Sequence, residues 1–412
     1  MKRKALNNIQ TWFQSQTRKP LFIKGPKGVG KTRLVTDYLA TNSENKIYMN
    51  FELNPGLLDL LDPTNIEHTL NSIATYFTVD TSKNTIIILD ECLLCESFIA
   101  QLSTYRENLS SLRFIFISSY PLTITLDIDT CEVLTLYPLD FEEFLEASNN
   151  QWYISVIQEH YKTLKPIPNI VHNDILNIFY DYLLIGGMPA AINEYLALES
   201  ILNVSELHYS ILNHQLNSLR LHNSESSYSK LEAMYQTLDL QLSKKNKKFK
   251  YNMIRKGATK NQYLSEAKTL EDYGLILSCI PMEESIIGQK LYLYDVGILV
   301  SKAKMNLSCK ELSPNTEQYK GFIENYVAQC LVTNGHSLYF WESGAQAKID
   351  FILKKQGTYI PIEVYSDEHT KSKSVSIFTS TYQIPYSIKI SPKNFAKHHN
   401  IQYIPLYATF CI

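Results

Sequence analysis

Leu21-Phe22-Ile23-Lys24 runs without a break into Gly25-Pro26-Lys27-Gly28-Val29-Gly30-Lys31-Thr32, followed by Arg33-Leu34-Val35-Thr36-Asp37-Tyr38-Leu39-Ala40. The first four residues read as a short buried strand. The next eight fit the G-x-x-x-x-G-K-[ST] pattern in full. The last eight carry apolar residues at helical spacing. Strand, glycine-rich turn and helix together form a loop that cradles phosphates. Glycines let backbone N–H groups point inward, and the helix N-terminus adds favourable partial charge. Lys31 is placed to neutralise the β- and γ-phosphates, and Thr32 offers a hydroxyl to Mg²⁺. Gly25, Pro26, Lys27, Gly28, Val29, Gly30, Lys31, Thr32 and the adjoining Arg33 are therefore the expected nucleotide-binding residues. An Asn-Lys-x-Asp guanine-reading motif is missing from the sequence, which favours ATP over GTP.

A phosphate loop of this kind calls for a buried strand ending in an acid. Thr85-Ile86-Ile87-Ile88-Leu89-Asp90-Glu91 supplies one. Its unbroken apolar run suits a central parallel strand covered on both faces. Asp90 is expected to help Thr32 hold Mg²⁺, and Glu91 to polarise the attacking water as general base. A third strand, Arg113-Phe114-Ile115-Phe116-Ile117, ends in Ser118-Ser119, either of which is placed to sense the γ-phosphate. Lys46-Ile47-Tyr48-Met49-Asn50-Phe51 adds a further strand and implies a parallel α/β sheet. Cys92 and Cys95 form a CxxC without a second ligand pair, so they read as one face of a helix rather than a zinc site.

The chain has 412 residues, room for two or three domains. An apolar fraction of 45% and a charged fraction of 19% are those of an ordinary globular protein. A formal charge of -2 means that any nucleic-acid contact has to come from a local patch. The seven cysteines suggest no pairing framework. Met1-Lys2-Arg3-Lys4 lacks the apolar stretch of a secretory signal, and no apolar run approaches the ~18 residues of a membrane span. A cytoplasmic protein without membrane contact is the expectation.

Further along, Asp140 reads as the N-cap of a helix over residues 137–146. Two helices joined at Gly186-Gly187-Met188-Pro189 follow. Between 226 and 305, three helices and a β-hairpin suggest a winged helix-turn-helix. Within it lies the basic run Lys244-Lys245-Asn246-Lys247-Lys248-Phe249-Lys250, a candidate DNA contact. A protein-binding or intramolecular packing role fits the same elements.

In the last hundred residues, Glu324 sits in a helix, and Asp350 and Glu363 sit in apolar strands. Their spacing matches a restriction-endonuclease-like metal site, where carboxylates bind Mg²⁺ and a following Lys orients water. That Lys position is Tyr365 here, with Lys371 and Lys373 the nearest substitutes. Either the domain cuts nucleic acid, or it keeps the fold without the cleavage.

Gly25 to Thr32, Ile87 to Glu91, Leu136-Tyr137-Pro138-Leu139-Asp140-Phe141-Glu142-Glu143-Phe144-Leu145, Tyr182-Leu183-Leu184-Ile185 with the GGMP turn, Asn246 to Tyr251 and Ile362-Glu363-Val364 occur in that order. This order resembles a prokaryotic (archaeal-type) AAA-type ATPase family, in which a P-loop domain precedes a C-terminal region of unassigned function. The resemblance implies an α/β fold in four parts. These are a P-loop core with a parallel sheet (1–140), a helical connector (141–225), a winged helix (226–305) and a restriction-endonuclease-like α/β domain (306–412). The chain departs from the family pattern at Cys92-Leu93, at Ser118-Ser119, at 129–133, where a basic residue is usual, and at Tyr365. Three functions stay open: an ATPase switch acting on the C-terminal half, an ATP-controlled DNA-processing nuclease, and a nucleotide-gated interaction module with a protein or DNA partner.

Overall fold

The computed structural model describes the chain except residues 16–18, 43–44, 81–83, 103–111, 123–130, 199, 307–315, 345–346, 356 and 371–372. Lys371 and residues 129–130 thus lie outside the described residues. Two compact units emerge, residues 2–137 and 138–412.

The N-terminal unit is built on five strands: β1 (Leu21–Lys24), β2 (Lys46–Asn50), β3 (Thr85–Asp90), β4 (Leu112–Ser118) and β5 (Glu132–Thr135). Their order is β2-β3-β4-β1-β5, and every pairing is parallel. Alternate residues along the strands feed two cores. Ile87, Leu89, Phe114 and Phe116 pack on one face with Ile73, Phe98 and Ile99. Ile86, Ile88, Ile115 and Ile117 pack on the other with Trp12, Val35 and Leu39. Burial on both faces explains why these strands read as unbroken apolar runs. Cys92 and Cys95 begin and end a single 3₁₀ turn, three residues apart and so on one face of it. Both are buried in the first core, and burial pushes the Cys95 thiol up to about 12.

The C-terminal unit opens with the helix Phe141–Ala147, capped as expected by Asp140. Its carboxylate accepts from Glu143 N at 2.9 Å while Glu143 accepts from Asp140 N. The helices Asn169–Ile185 and Pro189–Leu198 flank the GGMP turn. Its eight-stranded sheet comprises β6 (Ile276–Pro281), β7 (Lys290–Leu293), β8 (Leu338–Ser343), β9 (Ala347–Lys355), β10 (Thr358–Val364), β11 (Ser387–Ser391), β12 (Ala396–His398) and β13 (Ile401–Pro405), in the order β12-β13-β11-β10-β9-β8-β6-β7. The hairpin read as the wing of a winged helix is β6-β7, and it is one edge of this sheet. β6 pairs in parallel with β8 from Cys279–Leu338 to Pro281–Phe340. A division at 305/306 would therefore cut through one sheet. The reason is physical: β6 left alone with β7 would expose a strand edge, and β8 covers it.

Helix Glu317–Thr333 runs through this unit and is buried on nearly every side. Asn325 bonds both backbone groups of Leu293, at 2.7 and 3.0 Å, and Gln329 accepts from Val296 N at 3.1 Å. These amides close the β7 edge where no further strand lies, as buried backbone groups require.

Candidate functional site

The parallel register brings three strand ends to one edge of the N-terminal sheet. Lys24 lies opposite Ser118, and Asp90 opposite Ile117. Ligands of open α/β sheets bind outside such carboxyl ends. Gly25, Gly28 and Gly30 adopt φ of 154°, 87° and 96°, the last two open only to residues that tolerate the left-handed side. Gly25 is fixed by a neighbour as well: a Cβ there would stand 2.2 Å from Leu136 O.

Lys31 is buried, and its Nζ donates to Gly25 O (2.9 Å), Pro26 O (3.0 Å) and Ser119 Oγ (2.8 Å). Burial depresses its pKa to about 8 against the partial support of Glu91 and Asp90. Ser119 Oγ donates in turn to Glu91 Oε1 at 2.6 Å, and Ser119 N to Oε2 at 2.9 Å. Burial raises the Glu91 pKa, opposed by Lys31 and Ser119. Glu91 sits at φ 52°, a left-handed conformation that a non-glycine residue holds at a cost. Of the two serines, Ser119 joins this chain of contacts. Ser118 Oγ donates instead to Tyr120 O at 2.8 Å.

Thr32 Oγ1 donates to Asp90 Oδ2 at 2.7 Å, so the two expected metal ligands meet. Tyr48 OH (2.6 Å) and Asn50 Nδ2 (3.2 Å) donate to the same oxygen. Burial and Asp90 push the Tyr48 phenol up to about 12. Neither residue was singled out from the sequence. The available signal was alternation: Tyr48 and Asn50 lie on one face of a strand next to the acid strand. Arg3, which carries no local signal for the site, donates to Val29 O (3.0 Å) and Tyr137 O (2.6 Å), bracing the phosphate loop. Lys27 pairs with Glu52, and Arg33 forms an exposed pair with Asp37 at 3.2 Å on the side of its helix. The oxygens of Thr32 and Asp90 suit a hard divalent cation.

The C-terminal acids form a second cluster of different character. Lys290 Nζ lies 2.8 Å from Glu324 Oε1 and 4.0 Å from Asp350 Oδ1. Tyr292 OH donates to the same Glu324 oxygen at 2.5 Å. Burial would raise the Glu324 pKa, but Lys290, Lys247 and Lys348 hold it well below the usual carboxylate range. Asp350 Oδ2 accepts from Val364 N at 2.9 Å. Glu363 Oε2 accepts from Tyr365 OH at 3.0 Å and lies 3.4 Å from Lys389 Nζ, on the register partner in β11. Among the described residues, no group of three acidic, His or Cys side chains could hold a metal ion. Mg²⁺ does not fit here, because lysine ammonium groups already stand against the carboxylates it would need. Lys373 begins the helix Ser374–Thr381, and no described contact joins it to this cluster.

A glycine-rich loop, a buried lysine and a strand-end acid on a parallel sheet define a P-loop nucleotide-binding domain. Residues 17–145 match the family described as an AAA domain, in keeping with the phosphate-loop geometry of this part of the chain. Residues 176–308 and 319–409 match two families described as domains of unknown function, DUF8612 and DUF4143. Among curated proteins, none matches the chain. Of solved structures, a Walker-type ATPase of Pyrococcus abyssi is similar at 14% identity, covering 73% of this chain and 95% of that one, with a TM-score of 0.46. A structure of Pif1 helicases that unwind forked dsDNA is similar at 13% identity over 36% of this chain and 48% of that one, with a TM-score of 0.25. Among the described residues, no helix is long and apolar enough to cross a membrane.

Proposed function

We infer that the chain binds and hydrolyses Mg²⁺-ATP in its N-terminal unit and uses the nucleotide to switch its C-terminal half. The observation that carries this reading is a four-residue stretch gripped at both ends. Within the first unit, Leu136 N donates to Lys24 O at 2.7 Å, and Leu136 O leaves no room for a side chain on Gly25. Within the second, Leu139 N donates to Gly187 O at 2.8 Å and Leu139 O accepts from Tyr182 OH at 2.7 Å. A Cβ on Gly187 would stand 2.1 Å from Leu139 O, and one on Gly186 would stand 2.3 Å from Asp295 Oδ1. On this reading residues 136–139, which connect the two units in sequence, are the route by which nucleotide in the first acts on the second.

In hydrolysis, Thr32 and Asp90 would hold the cation, which supplies charge neutralisation at the phosphates. Lys31 turns its ammonium from the loop carbonyls to the phosphate oxygens. Ser119 keeps the Glu91 carboxylate oriented, and Glu91 takes the proton of the attacking water. A soluble, cytoplasmic setting and a protein or DNA partner for the C-terminal half complete the proposal.

Hydrogen exchange of the full chain tests the switch. ATP with Mg²⁺ is expected to change protection at 186–189 and in the helix Val296–Asn306, and Lys31→Ala to abolish that change. ATP binding that leaves both segments unaltered would sink the switch and leave an isolated ATPase.

A further inference from the structure

Beside the C-terminal acid cluster lies a cavity of about 400 Å³, a size usual for small-molecule sites. Five lysines line it (Lys245, Lys247, Lys248, Lys290 and Lys348) against two glutamates. Its basic wall is half of the 244–250 run, folded against the sheet edge: Phe249 N donates to Gln289 O at 2.7 Å, and Lys248 bridges to Lys290. Lys290 answers Glu324, and Lys248 pairs with Glu342. Lys247 is 5% exposed, donates to Lys244 O at 3.2 Å and meets the half-open Glu317 carboxylate only at 3.8 Å, so its charge has no close counter-ion. Lys348 stands 3.9 Å from Asp350, too far for a hydrogen bond, and its side chain is 64% exposed. Lys245 is exposed at the rim. Several ammonium groups therefore converge on one space with donors left over.

We propose that this cavity binds a phosphomonoester of nucleotide size without a divalent cation, Lys290 standing between Glu324 and Asp350. A phosphomonoester carries about -1.5 to -2 charge and three acceptor oxygens. It matches converging lysines better than a phosphodiester, which has one charge and two free oxygens. The free nucleotide and the phosphorylated end of a strand share this chemistry.

The test uses the full chain carrying Lys31→Ala, titrated in EDTA with a fluorescent 5′-phosphorylated dinucleotide and with its 5′-hydroxyl twin. A nucleoside monophosphate competes to separate free nucleotide from strand end. Binding of the phosphorylated probe is expected, weakened about tenfold or more by Lys348→Glu or Lys245→Glu. Lys397→Glu, an equal charge change on β12 at the far edge of the sheet, is expected to weaken it less than twofold. Four results would overturn the proposal: no binding at millimolar probe, a requirement for Mg²⁺, equal affinity for the 5′-hydroxyl twin, or equal effects of Lys348→Glu and Lys397→Glu. If the monophosphate displaces the probe, free nucleotide suffices; if it does not, the site reads the strand end, and the phosphomonoester assignment holds in both cases.

Discussion

The phosphate loop and the C-terminal acid cluster use the same residue types to opposite ends. Each buries a lysine among carboxylates. In the loop, Lys31 Nζ bonds two carbonyls and a hydroxyl, while Asp90 Oδ2 accepts from a threonine, a tyrosine and an asparagine. Charge there is solvated by neutral partners and remains available to a charged ligand. In the C-terminal cluster, Lys290 meets Glu324 and Lys389 meets Glu363 directly. Charge there is answered inside the fold. Spacing of acids alone does not distinguish a metal site from a structural ion-pair network; the partner of each lysine does.

The largest expected effect breaks that comparison if it fails. Lys290→Met strands the buried Glu324 carboxylate and is expected to destabilise the C-terminal unit by about 3–5 kcal/mol in urea denaturation. Adding Glu324→Gln should recover most of the loss. Lys31→Met removes a desolvated charge with neutral partners and is expected to change N-terminal stability by less than about 1 kcal/mol. Equal losses at Lys290 and Lys31 would dissolve the distinction.

A pair of charge-neutral substitutions sharpens it. Glu91→Gln keeps the size of the side chain but removes the proton acceptor, so turnover is expected to fall about 100-fold or more with ATP affinity little changed. Glu324→Gln leaves Lys290 with less compensation and is expected to lower stability without altering ATP turnover. Turnover that survives Glu91→Gln would place the base elsewhere.

Much of the N-terminal unit was legible because its signals are local. Gly25 to Thr32 and Ile86 to Glu91 are contiguous, and a continuous apolar run has one common use in an α/β sheet. The roles of Ser118 and Ser119 could not be separated from sequence, since the one-residue difference in direction depends on how the chain turns at the end of β4. Tyr48, Asn50 and Arg3 reach the site across 42, 40 and 26 positions of sequence. Such contacts leave no mark without knowledge of strand order. The hairpin at 276–293 is legible as a hairpin but its place in the larger sheet is not, because the pairing of β6 with β8 spans β7 and two helices. Lys290 and Lys389 were missed for the same reason: each reaches its carboxylate from a different strand or helix.

The pH dependence of Lys31 and Lys290 separates them without mutation. Burial sets the Lys31 pKa at about 8, so its ammonium is largely intact at pH 7 and is lost progressively above pH 8. ATP needs that ammonium, so affinity should fall by up to about tenfold per unit between pH 8 and pH 10, about 1.4 kcal/mol per unit. Stability without ATP moves the other way. In this window the unfolded chain holds the Lys31 proton more tightly than the folded one, so this group's contribution to stability rises with pH. Lys290 has the opposite shift, because Glu324 and Asp350 outweigh its burial and keep it charged beyond the ordinary lysine range. Lys290 therefore stays charged as pH climbs from 8 to 9.5, whereas the pKa of Lys247, the buried ammonium that faces the cavity, is lowered by burial as that of Lys31 is. Phosphomonoester binding should thus also weaken with rising pH. Parallel titrations of ATP on the intact chain and of the phosphorylated dinucleotide on Lys31→Ala measure both slopes. If ATP affinity holds to pH 9.5, Lys31 is better solvated than its three neutral contacts imply, and the contrast between the two lysines loses its basis.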